Sequence, residues 1–145
     1  RGKYKIEPVY EYVDGLDSNY DEVIKEEKLV IHGRFSVDFW CMIQQEYKME
    51  SLSKVIGHFG NGLNLAKMRD MVYYSHIAWV NEVSRTSPDV EPVLKDLSHA
   101  ANIVEQFAEQ DIHEVTEALI GSQMISELLK ASETLGEEMG KKQTP

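Results

Sequence analysis

His113 and Glu117 stand four residues apart in the string His113-Glu114-Val115-Thr116-Glu117. At that spacing two side chains share one helical face and can grip a metal ion. The second histidine of the zinc-protease pattern is missing, and a metal centre needs three or more converging ligands. The string therefore reads as a solvated helical face, and no metal site is predicted. The remaining histidines are His32, His58, His76 and His99. His76 lies beside Tyr73 and Tyr74 in the most apolar part of the chain, which predicts a packed ring with its nitrogens bonded.

Nucleophilic chemistry has no better footing. Cys41, the only cysteine, would need a nearby base and an electropositive setting; its neighbours Trp40 and Met42 predict an inert, buried thiol. Gly57-His58-Phe59-Gly60-Asn61-Gly62 is glycine-rich like a phosphate loop, but it lacks the lysine-serine/threonine ending and follows a helical pattern. It predicts a helix-helix turn. Carboxylates are so numerous that no pair stands out for general acid-base work. The expectation is a chain with no catalytic residue, cofactor or metal, and not an enzyme.

Charge and composition narrow the partners. Twenty-five acidic against 15 basic residues leave a formal net charge of -10, which repels phosphate backbones. Lys67, Arg69 and Arg85 are scattered, and Arg1, Lys3 and Lys5 sit at one end, so no basic stripe forms and no nucleic acid is expected. No apolar run approaches the roughly 20 residues that a membrane helix requires. A lone cysteine suits a reducing compartment, giving the expectation of a cytoplasmic protein, in the host cell's cytoplasm if viral. At 145 residues the chain fits one domain with a sizeable core.

The elements that must position these residues are organised around Phe35 to Val83, which holds both tryptophans and every phenylalanine except Phe107. Leu52, Val55, Ile56 and Phe59 fall on one helix face, as do Val37, Trp40, Ile43 and Tyr47. Leu63 to Val83 is apolar over much of its circumference and predicts a central helix in which Trp79→Ala strongly destabilises the domain. Ser36 and Ser51 are suited to cap the two preceding helices. Ser87-Pro88-Asp89 signals the start of a further helix, capped by Ser87 or by Asp89, that runs to about Gln110. Asp111 and Glu114 have the spacing of a cap and its N3 partner for the last helix, which Gly121 can divide.

The first quarter is less regular. Tyr4, Ile6, Val9, Tyr10 and Tyr12 alternate loosely, and Leu29-Val30-Ile31 is a second candidate strand. Val13 to Glu27 reads mostly as turn and loop. The two candidate strands form a hairpin with a long loop, or the whole quarter is mobile. The predicted fold class is mainly α: a small bundle of about five helices, with an extended arm or short β-hairpin over residues 1–34, a helical domain over 35–139 and a flexible tail over 140–145.

Ile103 to Met139 holds nine acidic residues against one base, Lys130. Two readings stand: a solvated helical face, or an acidic amphipathic surface that holds another chain. In the second, Met124, Leu128, Leu129, Leu135 and Met139 line the partner-binding surface, methionine being adaptable to varied apolar partners.

The order of these pieces resembles the tail assembly chaperones of long-tailed bacteriophages. The matching features are Phe35 with Phe39-Trp40-Cys41-Met42-Ile43, then Met49-Glu50-Ser51-Leu52, then the Leu63 to Val83 helix, then Ile112-His113-Glu114-Val115-Thr116-Glu117-Ala118-Leu119. The resemblance covers about Phe35 to Leu129. It implies a non-enzymatic protein that forms homo-oligomers, keeps the tape-measure protein soluble and assists assembly of the tail tube protein. A different class remains beside it: an acidic helical regulatory or inhibitory module that binds a basic protein.

Overall fold

The computed structural model describes residues 2–60, 62, 64–122, 127, 130 and 131. Its elements run β1 (Lys3–Ile6), β2 (Val9–Leu16), β3 (Glu22–Lys28), β4 (Ile31–Arg34), α1 (Val37–Tyr47), α2 (Leu52–Gly60), α3 (Leu65–Val83), α4 (Leu97–Glu105) and α5 (Glu109–Ile120). The strands form two antiparallel pairs, β1 with β4 and β2 with β3. The expectation of a mainly α bundle is therefore wrong: this is a mixed α/β fold.

The inner pair, β1 and β4, is part of the core. Its register sets Tyr4 against Gly33 and Ile6 against Ile31, and all four are buried. The Tyr4 ring lies over Gly33, where a Cβ would come within 2.1 Å of two ring carbons, so only glycine fits. The Tyr4 hydroxyl then meets Ser75 Oγ on α3 at 2.6 Å, and Ser75 donates to Val72 O at 3.2 Å. β4 packs on α3 and β1 on α5, so the strands are sandwiched by helices.

The outer pair, β2 and β3, runs from Val9 to Lys28 and so takes in the stretch Val13 to Glu27 that reads as loop in the sequence. Its strands are acidic and solvated on one face, so the alternation of apolar residues that marks a half-buried strand is faint. The turn between them is held by Asp17, whose carboxylate accepts from the N–H groups of Asn19 at 2.8 Å and Asp21 at 3.0 Å.

The helices start where side-chain oxygens can take up free N–H groups. Ser36 accepts from Phe39 N–H, Ser51 from Lys54 N–H, and Asn64 from Lys67 N–H. Lys48 ends α1 in the left-handed region at φ 52. Three boundaries differ from the sequence-based expectation. Gly57 and Gly60 lie inside α2, whose buried Val55 and Phe59 outweigh two weak helix formers. Ser87-Pro88-Asp89 starts a turn, not a helix; Pro92 lacks an N–H, and α4 begins only at Leu97 with Asp96 accepting from His99 N–H at 2.7 Å. Asp111 sits in the first turn of α5 and accepts from Ala108 N–H at 2.9 Å, so it reaches back to the cap instead of being the cap.

α3 is the central helix, buried on nearly every side, from Met68, Met71 and Val72 to Tyr74, Ala78 and Val80. Around it lie Phe39, Trp40 and Ile43 of α1, Ile103 of α4 and Val115 of α5, all buried. Trp79 on α3 is only partly buried and stacks on His32, ring centroids 4.4 Å apart. Among the described residues, no helix is long and apolar enough to cross a membrane.

Candidate protein-interaction surface

Among the described residues, the β2–β3 ribbon has one edge capped at Glu11 and one edge with no backbone partner. Its register pairs Val9 with Lys28, Tyr10 with Glu27, Glu11 with Glu26, Tyr12 with Lys25 and Val13 with Ile24. In an antiparallel ladder the backbone groups of successive residues turn alternately toward the partner strand and away from it. Those of Glu11 turn away and meet the side chain of Gln106, which follows α4. Glu11 N–H donates to Gln106 Oε1 at 2.8 Å, and Gln106 Nε2 donates to Glu11 O at 2.9 Å. The bond from Leu29 N–H to Pro8 O, 3.0 Å, has the parity this requires. On the far side of the ribbon, the same parity turns the N–H and C=O groups of Ile24, Glu26 and Lys28 outward. No described residue covers them.

The two faces of the ribbon differ as sharply as the edges. Tyr10 and Tyr12 turn inward; Tyr10 is buried, stacks on Tyr12 at 5.6 Å and meets the His99 ring of α4 edge-on at 5.5 Å. Val9, Val13 and Ile24 turn outward. Gly15, at φ +84, accompanies a register shift after which Leu16 pairs with Glu22. This bulge moves Leu16 onto the outer face as well. The four aliphatic residues are 49%, 50%, 54% and 58% exposed for Val9, Val13, Ile24 and Leu16; Val13, Ile24 and Leu16 form an apolar row without a partner among the described residues, and the Glu11–Glu26 pair separates Val9 from it.

Charge surrounds that row. Glu7 to Lys28 contains eight acidic residues and two lysines. Both lysines are already engaged, Lys25 with Asp14 and Lys28 with Glu7. The hydrogen bond to Asp14 and its charge hold the Lys25 amine above its usual pKa. Glu11 and Glu26 stand directly opposite each other on the outer face, and neither has an ion-pair partner among the described residues.

The side chains with chemical potential elsewhere are committed to structure. His76 is buried and bridges two elements: Nδ1 lies 2.8 Å from His32 O, and Nε2 accepts from Val93 N–H at 2.9 Å. Because Val93 N–H can only donate, Nε2 is bare and Nδ1 carries the proton. Burial holds this imidazole below its usual pKa. Asp70, also buried, accepts from Tyr47 Oη at 2.7 Å and from Arg69 Nε at 2.9 Å. Tyr47 is consequently pushed up, by burial first and then by its bond to Asp70.

His113 and Glu117 are exposed on α5, and among the described residues no group of three potential ligands could hold a metal. Cys41 is exposed, against the expectation of a buried thiol: Phe39 and Trp40 fill the inner face of α1, and the next residue points out. The expected partner-binding residues Met124, Leu128, Leu129, Leu135 and Met139 lie outside the described residues. The apolar row on the ribbon has no counterpart among them. Its one visible sequence signal is Asp14-Gly15 between Val13 and Leu16, a turn dipeptide that here makes a bulge.

Comparison of the chain with protein-family models, with curated proteins and with solved structures returned no match.

Proposed function

We propose that this chain is a non-enzymatic assembly chaperone of the phage-tail kind, acting in the cytoplasm on protein partners. It keeps a long helical tape-measure protein soluble and presents it to tail tube subunits, working as a homo-oligomer. The observation that carries this reading is the outer face of the ribbon. Four aliphatic side chains share it, all about half exposed or more, on an acidic background. A surface of that kind masks apolar segments of a client while its charge keeps the complex in solution.

The resemblance carried by Phe35 to Leu129 suggests the client, and the apolar outer face of the ribbon supports the reading. The second reading, an acidic module that binds a basic protein, draws on the same acidic excess. It differs in expecting a monomer and a folded basic partner. Light scattering across a concentration series and co-expression with a tape-measure protein separate the two. The chaperone reading expects concentration-dependent multimers and a larger soluble fraction of the tape-measure protein. A strict monomer with no effect on that fraction contradicts it.

A further inference from the structure

We infer that β3 is a docking edge for an extended basic segment of a partner chain, which adds to the ribbon as a third strand. This rests on the reading of the protein as a client-binding chaperone and names the chemistry of the client. The two edges of the ribbon are unequal. At β2, strand addition would have to displace both bonds between Gln106 and Glu11. At β3, no described residue hydrogen-bonds to the outward backbone groups of Ile24, Glu26 and Lys28, which a partner's main chain can therefore meet. Main-chain bonds along such an edge give affinity, and alternate side chains give selectivity.

The outer face states which side chains fit. A strand on β3 sets every second side chain beside Ile24, Glu26 and Lys28. An aliphatic residue beside Ile24 extends the row formed with Val13 and removes more apolar area from water. A lysine or arginine beside Glu26 faces two carboxylates, because Glu11 is the cross-strand neighbour of Glu26. Like charges directly opposite each other destabilise a ribbon, so a cation there relieves a cost that the free protein bears. The fitting segment carries an aliphatic residue and, two positions along, a lysine or arginine, so that both lie on one face of the added strand.

A second copy of this chain fits the edge poorly. From Val9 to Lys28 the ribbon holds seven acidic residues, and its two lysines are engaged with Asp14 and Glu7. Pairing β3 edges would bring two such ribbons together at a net charge of -10 per chain. Charge on an open edge is a common way to discourage copies from pairing, and this charge still admits a basic strand.

The test titrates the full chain with a short synthetic peptide whose every second residue is in turn valine and lysine, with threonine between them, and with its counterpart carrying glutamate for lysine, while backbone amide shifts are recorded. Saturable shifts at Ile24, Glu26 and Lys28 are expected with the lysine peptide, with binding at least about tenfold weaker for the glutamate peptide. Glu26→Lys should narrow or invert that preference. Glu26→Pro removes an outward N–H without touching the β2–β3 ladder, and should abolish binding while amide dispersion stays native.

Equal binding of both peptides, no saturable binding, or shifts confined to the β2 edge overturns the inference. So does the appearance of the β3 shifts on concentrating the protein alone, which assigns the edge to a second copy. If both Glu26 variants still raise the solubility of a co-expressed tape-measure protein as the unaltered chain does, the edge is wrong and the chaperone reading stands. If the lysine peptide binds as expected but the unaltered chain gives no solubility gain, the chaperone reading fails and the edge stands.

Discussion

Gln106 grips Glu11 by both of its backbone groups, with bonds of 2.8 and 2.9 Å, and so takes the place of a neighbouring strand at one position of β2. A side-chain amide can do this because it offers one acceptor and two donors in a plane, as a peptide group does. The contact ties an otherwise projecting ribbon to α4, and it spans 95 residues of sequence. Gln106→Ala should cost about 1 kcal/mol, the scale of partly exposed hydrogen bonds. It should also speed hydrogen exchange at the Glu11 amide more than at Tyr10 or Tyr12. Unchanged exchange at Glu11 would show that the bond does not hold the edge.

His76 predicts how stability responds to acid. Its folded pKa is lowered by burial, so the unfolded chain takes up a proton that the folded chain resists. The stabilising contribution is complete above the unfolded value, about 6.5, and is lost as pH falls from there toward the lowered folded pKa. His32 and His99 are shifted in the same direction, again mainly by burial, and add to the slope. His76→Phe keeps a ring but orphans Val93 N–H and His32 O, at about 1 to 3 kcal/mol for each group. Urea denaturation should show this loss at pH 8 and a shallower decline in acid. An acid slope identical to that of the unaltered protein would exclude His76 as a contributor.

The two tryptophans should rank differently from what their sequence setting suggests. Trp40 is 1% exposed among Phe39 and Phe59, so Trp40→Ala should cost about 3 to 5 kcal/mol. Trp40→Phe should cost much less, since it keeps an aromatic ring and removes an indole N–H that has no partner among the described residues. Trp79 is partly buried and stacked on His32, so Trp79→Ala should cost clearly less than Trp40→Ala. Equal losses for both alanine variants in chemical denaturation would contradict this ranking.

Cys41 supplies a simple check on the orientation of α1. An exposed thiol should react with a disulfide reagent in native buffer at close to the rate of a free cysteine. Reaction only after unfolding would mean that α1 is rotated and that Phe39 and Trp40 do not share the inner face.

The helical half of the fold was legible in the sequence because its signals are local. The stripe Leu52, Val55, Ile56, Phe59 and the caps Ser36 and Ser51 each act within one or two turns. His76 could be read as a bonded core residue from its apolar neighbours alone. The β half was only partly legible. The alternation of Tyr4, Ile6, Val9, Tyr10 and Tyr12 and the run Leu29 to Ile31 suggested a single hairpin with a long loop, but β2 and β3 are defined by contacts that spacing does not carry, such as Gln106 on Glu11 and the Gly15 bulge. The false helix start at Ser87-Pro88-Asp89 shows the reverse case. Its local chemistry is correct for a helix, yet Pro92 and the buried Leu94 favour an irregular crossing from α3 to α4. The apolar row of the candidate surface was hidden for the same reason, because Leu16 joins Val13 and Ile24 only through the bulge.

The central claim is that the outer face of the ribbon holds a client chain. It is tested most directly by co-expressing a tape-measure protein with the unaltered chain and with a variant carrying both Val13→Asp and Ile24→Asp, and measuring the soluble fraction of the tape-measure protein. Both substitutions lie on the solvent face and should leave the core and circular dichroism unchanged. The unaltered chain should raise the soluble fraction, and the folded variant should not. An equal rise with the variant, or no rise with either, would contradict the account.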